Sequence, residues 1–197
     1  MRINHLMTAA DKADVLREKF GELVSEPAEF RGEITVVVAD VQRMAEVCEF
    51  AKSELGFNYL VDLSSVDNYG DDPRFELVYE LYGYGHGQRL RLKAALSEEV
   101  GEAPSVVGVW RTADWHEREV FDMMGIRFAG HPDLRRILMW EGYPHFPLRK
   151  DFPLAGKATE MPDVAFSNPA PLEGGPFVTS PGACGSEERE PRAKTFE

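Results

Sequence analysis

Two apolar periods alternate along this chain, and the switches between them mark its elements. Thr8 followed by Asp11 has the form of a helix start, and Val15, Leu16, Phe20 and Leu23 continue it at helical spacing. Residues 34–38, ITVVV, are β-branched and apolar on both faces, which predicts an internal strand. Asp40 then serves as N-cap for a stripe of Val41, Met44, Cys48, Ala51 and Leu55, with Gly56 as its stop. From there the period drops to two. Phe57, Tyr59, Val61 and Leu63 alternate with Asn58, Asp62 and Ser64, predicting a strand with one buried face. Phe75, Leu77, Tyr79 and Leu81 repeat that pattern, as do Leu90, Leu92, Ala94 and Leu96, and the GYGHG between them predicts a hairpin. Glu76 and Glu80 on one arm then lie near Arg89, Arg91 and Lys93 on the other. The glycines at 83, 85 and 87 superficially resemble a phosphate loop, but no helix start follows to hold an anion.

A second helical region is expected after Pro104 and Ser105. The order of elements predicts an α+β fold, with helices packed on a mostly antiparallel four-stranded sheet. The character changes after Asp151. Residues 152–197 hold seven of the thirteen prolines and no sustained period, so they read as an extended, proline-rich C-terminal tail. Ordering such a segment costs about 1–2 kcal/mol per residue in backbone entropy alone. Phe152, Phe166, Phe177 and Phe196 are spaced along it as anchors for a partner's surface. The expected organisation is therefore a globular α/β domain over 1–151 and a partner-binding tail over 152–197.

Charge narrows the function classes. The chain carries 34 acidic and 22 basic residues, a net charge of −12, which argues against nucleic-acid binding. Two cysteines, Cys48 and Cys184, are too far apart for a metal pair by spacing, and no C-x-x-C occurs. The N-terminus lacks a signal-peptide core, and no apolar run has the length of a membrane span. A cytoplasmic chain with no direct membrane insertion is expected, any membrane association coming through partners.

The densest chemistry lies in 115–138, WHEREVFDMMGIRFAGHPDLRRIL. Asp114 and Glu117 have capping-box spacing for a helix that runs to Met124, and Gly125 suits a left-handed stop with Ile126 packing behind it. On that helix Val120, Phe121, Met123 and Met124 share one side, and Trp115, Arg118, Glu119 and Asp122 the other. Arg118 and Asp122, one turn apart, are placed to pair. Pro132 after His131 is placed to open a second short helix carrying Asp133, Arg135 and Arg136 beside Leu134, Ile137 and Leu138. Arg149, Lys150 and Asp151 follow in PLRKDFP. Between positions 111 and 151 seven acids meet seven bases, so the negative excess lies elsewhere. Charges matched in this way beside bulky apolar groups are what a buried polar network requires. The catalytic alternative pairs Glu119 and Asp122 with His116 or His131 as proton shuttle. Against it stand the missing nucleophile elbow, the missing H-E-x-x-H spacing, and arginines close enough to lower both carboxyl pKa values.

EREVFDMMGIRFAGHPDLRRIL followed by PLRKDFP resembles, nearly throughout and in order, the signature of the C-type subunit of bacterial NADH-quinone oxidoreductase, respiratory complex I. The stretch between Trp140 and Pro147 is longer than in many members. FSNPAPLEG loosely resembles the family's tail element. HPD at 131–133 also matches the J-domain co-chaperone tripeptide, but without the paired antiparallel helices that display it.

The resemblance implies a structural subunit of the peripheral arm in a complex that passes electrons from NADH to quinone and translocates protons. It implies no cofactor on this chain, with FMN, iron–sulfur clusters, NADH and quinone held by other subunits. The implied partners are chiefly the quinone-cavity subunit (D) and the terminal iron–sulfur cluster subunit (B). The implied place is the cytoplasmic side of the inner membrane, peripheral, with the isolated chain non-catalytic. The expected network comprises Glu117, Arg118, Glu119, Asp122, Gly125, His131, Pro132, Asp133, Arg135, Arg136, Arg149, Lys150 and Asp151. The rivals are the equivalent subunit of a related membrane-bound hydrogenase or other quinone-linked dehydrogenase, and a stand-alone acid/base hydrolase using Glu119 and His131.

Overall fold

The structure, a computed structural model, describes residues 7–154. The chain divides into two units, Met1–Phe146 and Pro147–Glu197. The expected tail lies almost wholly outside the described residues.

Helix α1 (Ala9–Phe20) starts as its sequence predicts. Thr8 Oγ1 accepts from Asp11 N–H, and the Asp11 carboxylate accepts in return from Thr8 N–H. Its buried face is Lys12, Ala13 and Leu16, so a lysine occupies an apolar-stripe position. A three-residue edge strand β1 (Ala28–Phe30), unforeseen in the sequence, pairs antiparallel with β2 (Glu33–Val38). In β2 only Ile34, Val36 and Val38 are buried, whereas Val37 is exposed. The strand is internal, as predicted, but only one of its faces is covered.

Asp40 caps a 3-10 turn (Val41–Arg43) that leads into α2 (Met44–Ser53). The stripe Val41, Met44, Cys48, Ala51 and Leu55 is buried throughout. β3 (Tyr59–Asp67) and the hairpin of β4 (Phe75–Gly83) and β5 (Gln88–Leu96) follow. The sheet has five strands in the order β1-β2-β5-β4-β3, antiparallel except for β2 beside β5. The fold is thus α+β with a mostly antiparallel sheet, one strand larger than expected. A second, parallel pair joins β6 (Glu102–Pro104) to β7 (Arg127–Ala129). Pro104 therefore ends a strand, where a helical opening was expected.

β3 departs from strict alternation. Its register against β4 shifts between Leu60 and Asp62, so Leu60 points into the core and Val61 is 42% exposed. A bulge inserts one residue and flips the phase of the strand residues just before it, while Phe57, ahead of the strand, stays buried. The expected inward positions Tyr59 and Val61 fall on the wrong side for that reason.

One core unites the inner sheet face (Leu77, Tyr79, Leu81, Leu90, Leu92) with α1, α2 and α3 (Ala113–Met124). The helices form a layer over that face. The opposite face carries the predicted cross-strand pairs: Lys93 lies 2.6 Å from Glu76, and Arg91 bonds both Glu80 and Glu33.

Candidate functional site

α3 begins after Thr112, whose hydroxyl donates to Leu60 O and caps nothing. The Asp114–Glu117 capping box does not form. Glu117 turns instead into the core, where its carboxylate accepts from Ser105 Oγ and Val106 N–H, both at 2.7 Å. The spacing suits a cap, but the segment leaving β6 offers the same carboxylate two donors away from water. At the other end Gly125 adopts φ 78° and donates to Phe121 O, the left-handed stop predicted, with Ile126 fully buried behind it.

The helix is buried on two sides. Val120, Met123 and Met124 face the sheet, with Phe121 half-buried, and Glu117, Arg118 and Asp122 are buried too. What covers the polar side is residues 131–146. No helix forms after Pro132; the segment runs as turns and bends. Its main chain is aimed at α3, and that decides how the charges are met.

Asp122 is the centre. Its Oδ2 accepts from three successive backbone N–H groups, Ile137 (3.0 Å), Leu138 (2.7 Å) and Met139 (2.8 Å). Its Oδ1 accepts from Arg136 Nη1 at 2.5 Å. Burial pushes this carboxyl up, but the bonds from Met139, Leu138, Arg136 and Ile137 outweigh it and hold the group below the usual range. The expected Arg118–Asp122 pair is replaced by Arg136–Asp122. Arg118 instead donates to the carbonyls of Arg135 (3.2 Å) and Arg136 (3.4 Å), with its guanidinium 5.2 Å from the Trp115 ring centre. Arg136 also donates to Asp122 O and His145 O and lies over the rings of Tyr143 and Phe146. The two arginines thus act on main chain as much as on carboxylates.

The ring of His131 is fully buried. Its Nδ1 accepts from Asp133 N–H at 3.0 Å, so Nε2 carries the hydrogen and faces Asp114 O at 3.2 Å. The GHPD turn is thereby fastened to the first turn of α3. Asp133 and Arg135 pair with each other at 2.8 Å, but both are more than half exposed. Pro132 and Glu119 are exposed as well. The structure therefore joins Arg118, Asp122 and Arg136 through the main chain of the 131–146 segment, buries His131 against Asp114 and Glu117 against Ser105 and Val106, and leaves Glu119 and the Asp133–Arg135 pair at the surface. Arg149, Lys150 and Asp151 belong to the second unit, in a turn where Phe152 N–H donates to Arg149 O.

The catalytic pairings meet a different geometry. Asp122 is saturated, both His131 nitrogens are engaged, and His116 Nδ1 lies 3.3 Å from Asp62 Oδ1 on β3. Among the described residues no group of three or more His, Cys, Asp and Glu side chains is arranged to hold a metal ion. None of their helices is long and apolar enough to cross a membrane.

Sequence reasoning missed several members. Ser105, Tyr143 and Phe146 carry no positional signal, since they reach the site through chain return. Lys12 was legible as a polar residue at an apolar-stripe position; its Nζ donates to Leu55 O at 3.0 Å and sits 5.3 Å from the Phe57 ring centre. Burial lowers its pKa to about 8.

Known proteins share this arrangement of sequence. Residues 37–158 match the family described as respiratory-chain NADH dehydrogenase, 30 Kd subunit. The chain is 47% identical over 160 residues to the NADH-quinone oxidoreductase C 2 subunit of Rhizobium etli (strain CIAT 652), covering 80% of this chain and 84% of that one. It is 49% identical over 145 residues to the NADH-quinone oxidoreductase C-type subunit of Geotalea uraniireducens (strain Rf4), covering 74% and 88%. Among solved structures, the trypsin-resistant fragment of Nqo5 is 34% identical with a TM-score of 0.53, over 61% of this chain and 95% of that fragment. A chain of the archaeal membrane-bound sulfane sulfur reductase, at 20% identity and TM-score 0.64 over 73% and 84%, shares the fold alone.

Proposed function

Since the chain belongs to the respiratory-chain NADH dehydrogenase 30 Kd subunit family, that of the C-type subunits of NADH-quinone oxidoreductase, we propose that it serves as a structural subunit of that complex's peripheral arm. It holds no cofactor of its own; FMN, iron–sulfur clusters, NADH and quinone sit on other subunits. Its neighbours are the quinone-cavity subunit and the subunit bearing the terminal cluster, on the cytoplasmic side of the membrane. Arg149, Lys150, Asp151 and the proline-rich sequence after them are the segments we assign to contact with those partners.

The observation that carries this reading is the state of Asp122. A carboxylate already met by a guanidinium and three amides is committed to shape, with no proton to exchange at neutral pH. Removing one member of a buried pair typically costs about 3–5 kcal/mol. A tagged full-length chain should therefore co-purify with the remaining subunits of an NADH-oxidising assembly. Asp122→Ala should lower the amount of assembled complex while turnover per assembled complex changes little. Full assembly with lost turnover would overturn the structural role.

A further inference from the structure

Glu117 stands apart from the rest of the charged knot. It is 0% exposed, and no cation among the described residues pairs with it. Cys48 of α2 and Tyr79 of β4 are near enough to feel its charge, and both are fully buried. Asp114, one turn earlier on α3, adds a second negative charge. The segment after β6 supplies the two donors, Ser105 Oγ and Val106 N–H, and no positive group. Arg118, next in sequence, is committed to the carbonyls of residues 135 and 136. A carboxylate in this setting has hydrogen bonds but no counter-charge, while a neutral carboxyl has its own hydrogen to place.

Ser105 can take that hydrogen. It is only half-buried, whereas Glu117 is sealed. Its hydroxyl donates to Glu117 Oε2 at 2.7 Å and accepts from Val107 N–H at 3.2 Å. A hydroxyl has one hydrogen and two lone pairs, so it can turn round. With Glu117 charged, Ser105 gives its hydrogen to the carboxylate. With Glu117 neutral, the carboxyl O–H donates to Ser105 Oγ, Val107 N–H still donates to the same oxygen, and the serine hydrogen turns away from the carboxyl. Every hydrogen is accounted for in both states, and the heavy atoms stay in place.

We propose that Glu117 and Ser105 form a proton-exchanging clasp between α3 and the segment leaving β6, in which the hydroxyl of the half-buried Ser105 passes a proton between solvent and the sealed carboxyl. The Val106 N–H bond persists in both states, so the clasp holds while its charge changes. Burial, offset in part by the Ser105 and Val106 bonds and reinforced by Asp114, raises the Glu117 pKa to about 7, which puts both states within reach of ordinary conditions. The inference rests on this geometry and not on the role proposed above for the complex; the two fail separately, one by titration and the other by assembly.

The test is an infrared titration of the full-length chain from about pH 5 to about pH 9, following the C=O stretch of a protonated carboxyl group. A band that disappears with a midpoint near neutrality and is absent in Glu117→Gln is the expected result. Ser105→Ala takes a charge-assisted donor from the charged form and a weaker acceptor from the neutral one, so its midpoint should rise by about one pH unit. If Glu117→Gln does not accumulate, Ser105→Ala assigns the band instead, because only a carboxyl bonded to that hydroxyl moves. No such band above about pH 5, as for an ordinary glutamate, overturns the clasp. An unmoved midpoint in Ser105→Ala overturns the serine's part in it.

Discussion

Arg136 reaches Asp122 twice, placing Nη1 2.5 Å from Oδ1 and 3.0 Å from the main-chain oxygen of the same residue. One guanidinium therefore reads both the side chain and the backbone of α3, and with its other nitrogen it holds His145 O. The side chain of the adjacent Arg135 pairs at the surface with Asp133. Two neighbouring arginines that look equivalent in the sequence have unequal work.

That inequality is measurable. Arg136→Ala leaves the buried Asp122 without its counter-charge and should cost about 3–5 kcal/mol. Arg135→Ala removes an exposed pair and should cost less than about 1 kcal/mol. Chemical unfolding of the two full-length variants against the parent checks the order; equal losses would contradict the unequal division of work.

Acid should attack the same point. The Asp122 carboxyl is held below its unfolded value, so its contribution to stability is present above the ordinary aspartate range and is lost as pH falls through its depressed native pKa. Asp122→Asn should have a shallower loss of stability in that acid window than the parent, starting from a lower plateau. Unfolding midpoints measured through the acid range decide it.

Lys12 predicts the opposite end of the pH scale. Its native pKa of about 8 lies below the ordinary lysine value of 10.5, so the folded chain binds fewer protons than the unfolded one between them. Stability contributed by this site should therefore rise as pH climbs from about 8 toward 10.5 and be missing below. Lys12→Met, which keeps the stem and drops the ammonium, should flatten that rise in a thermal unfolding series.

Arg74 joins the ends of three strands. It lies 2.8 Å from the fully buried side chain of Asp67 at the end of β3 and 2.9 Å from Glu98 just beyond β5. Arg74→Ala takes the guanidinium from a buried carboxylate, and a loss of about 3–5 kcal/mol in unfolding free energy is expected. Glu98→Ala, at the half-exposed end, should cost under about 1 kcal/mol.

Gly83 is a steric prediction. A Cβ there would fall on the His86 ring and lie 2.8 Å from Gly56 O, so Gly83→Ala must displace the ring or the backbone. Overpacking of this kind costs about 1–3 kcal/mol. A lowered unfolding midpoint is the expected result.

What the chain determined by itself was what depends on side-chain direction over a few residues. The alternation of Leu77, Tyr79 and Leu81, the helical stripe from Met44 to Leu55, the turn at GYGHG and the stop at Gly125 all follow from local geometry, and all are present. The charged knot was legible as a composition: acids and bases matched in number beside large apolar groups. Who met whom was decided by chain return. The bulge beside Val61 needs β4 to define a register, and the parallel union of β2 with β5 spans a helix and two strands. Asp122 took three main-chain amides, which every residue except proline carries, so no residue type in the sequence announced them. Glu117 left its capping position because Ser105 and Val106, twelve and eleven residues earlier and outside its helix, arrived with two donors in a place closed to water. Periodicity is local, but the satisfaction of a buried charge is settled only when the last segment is laid down.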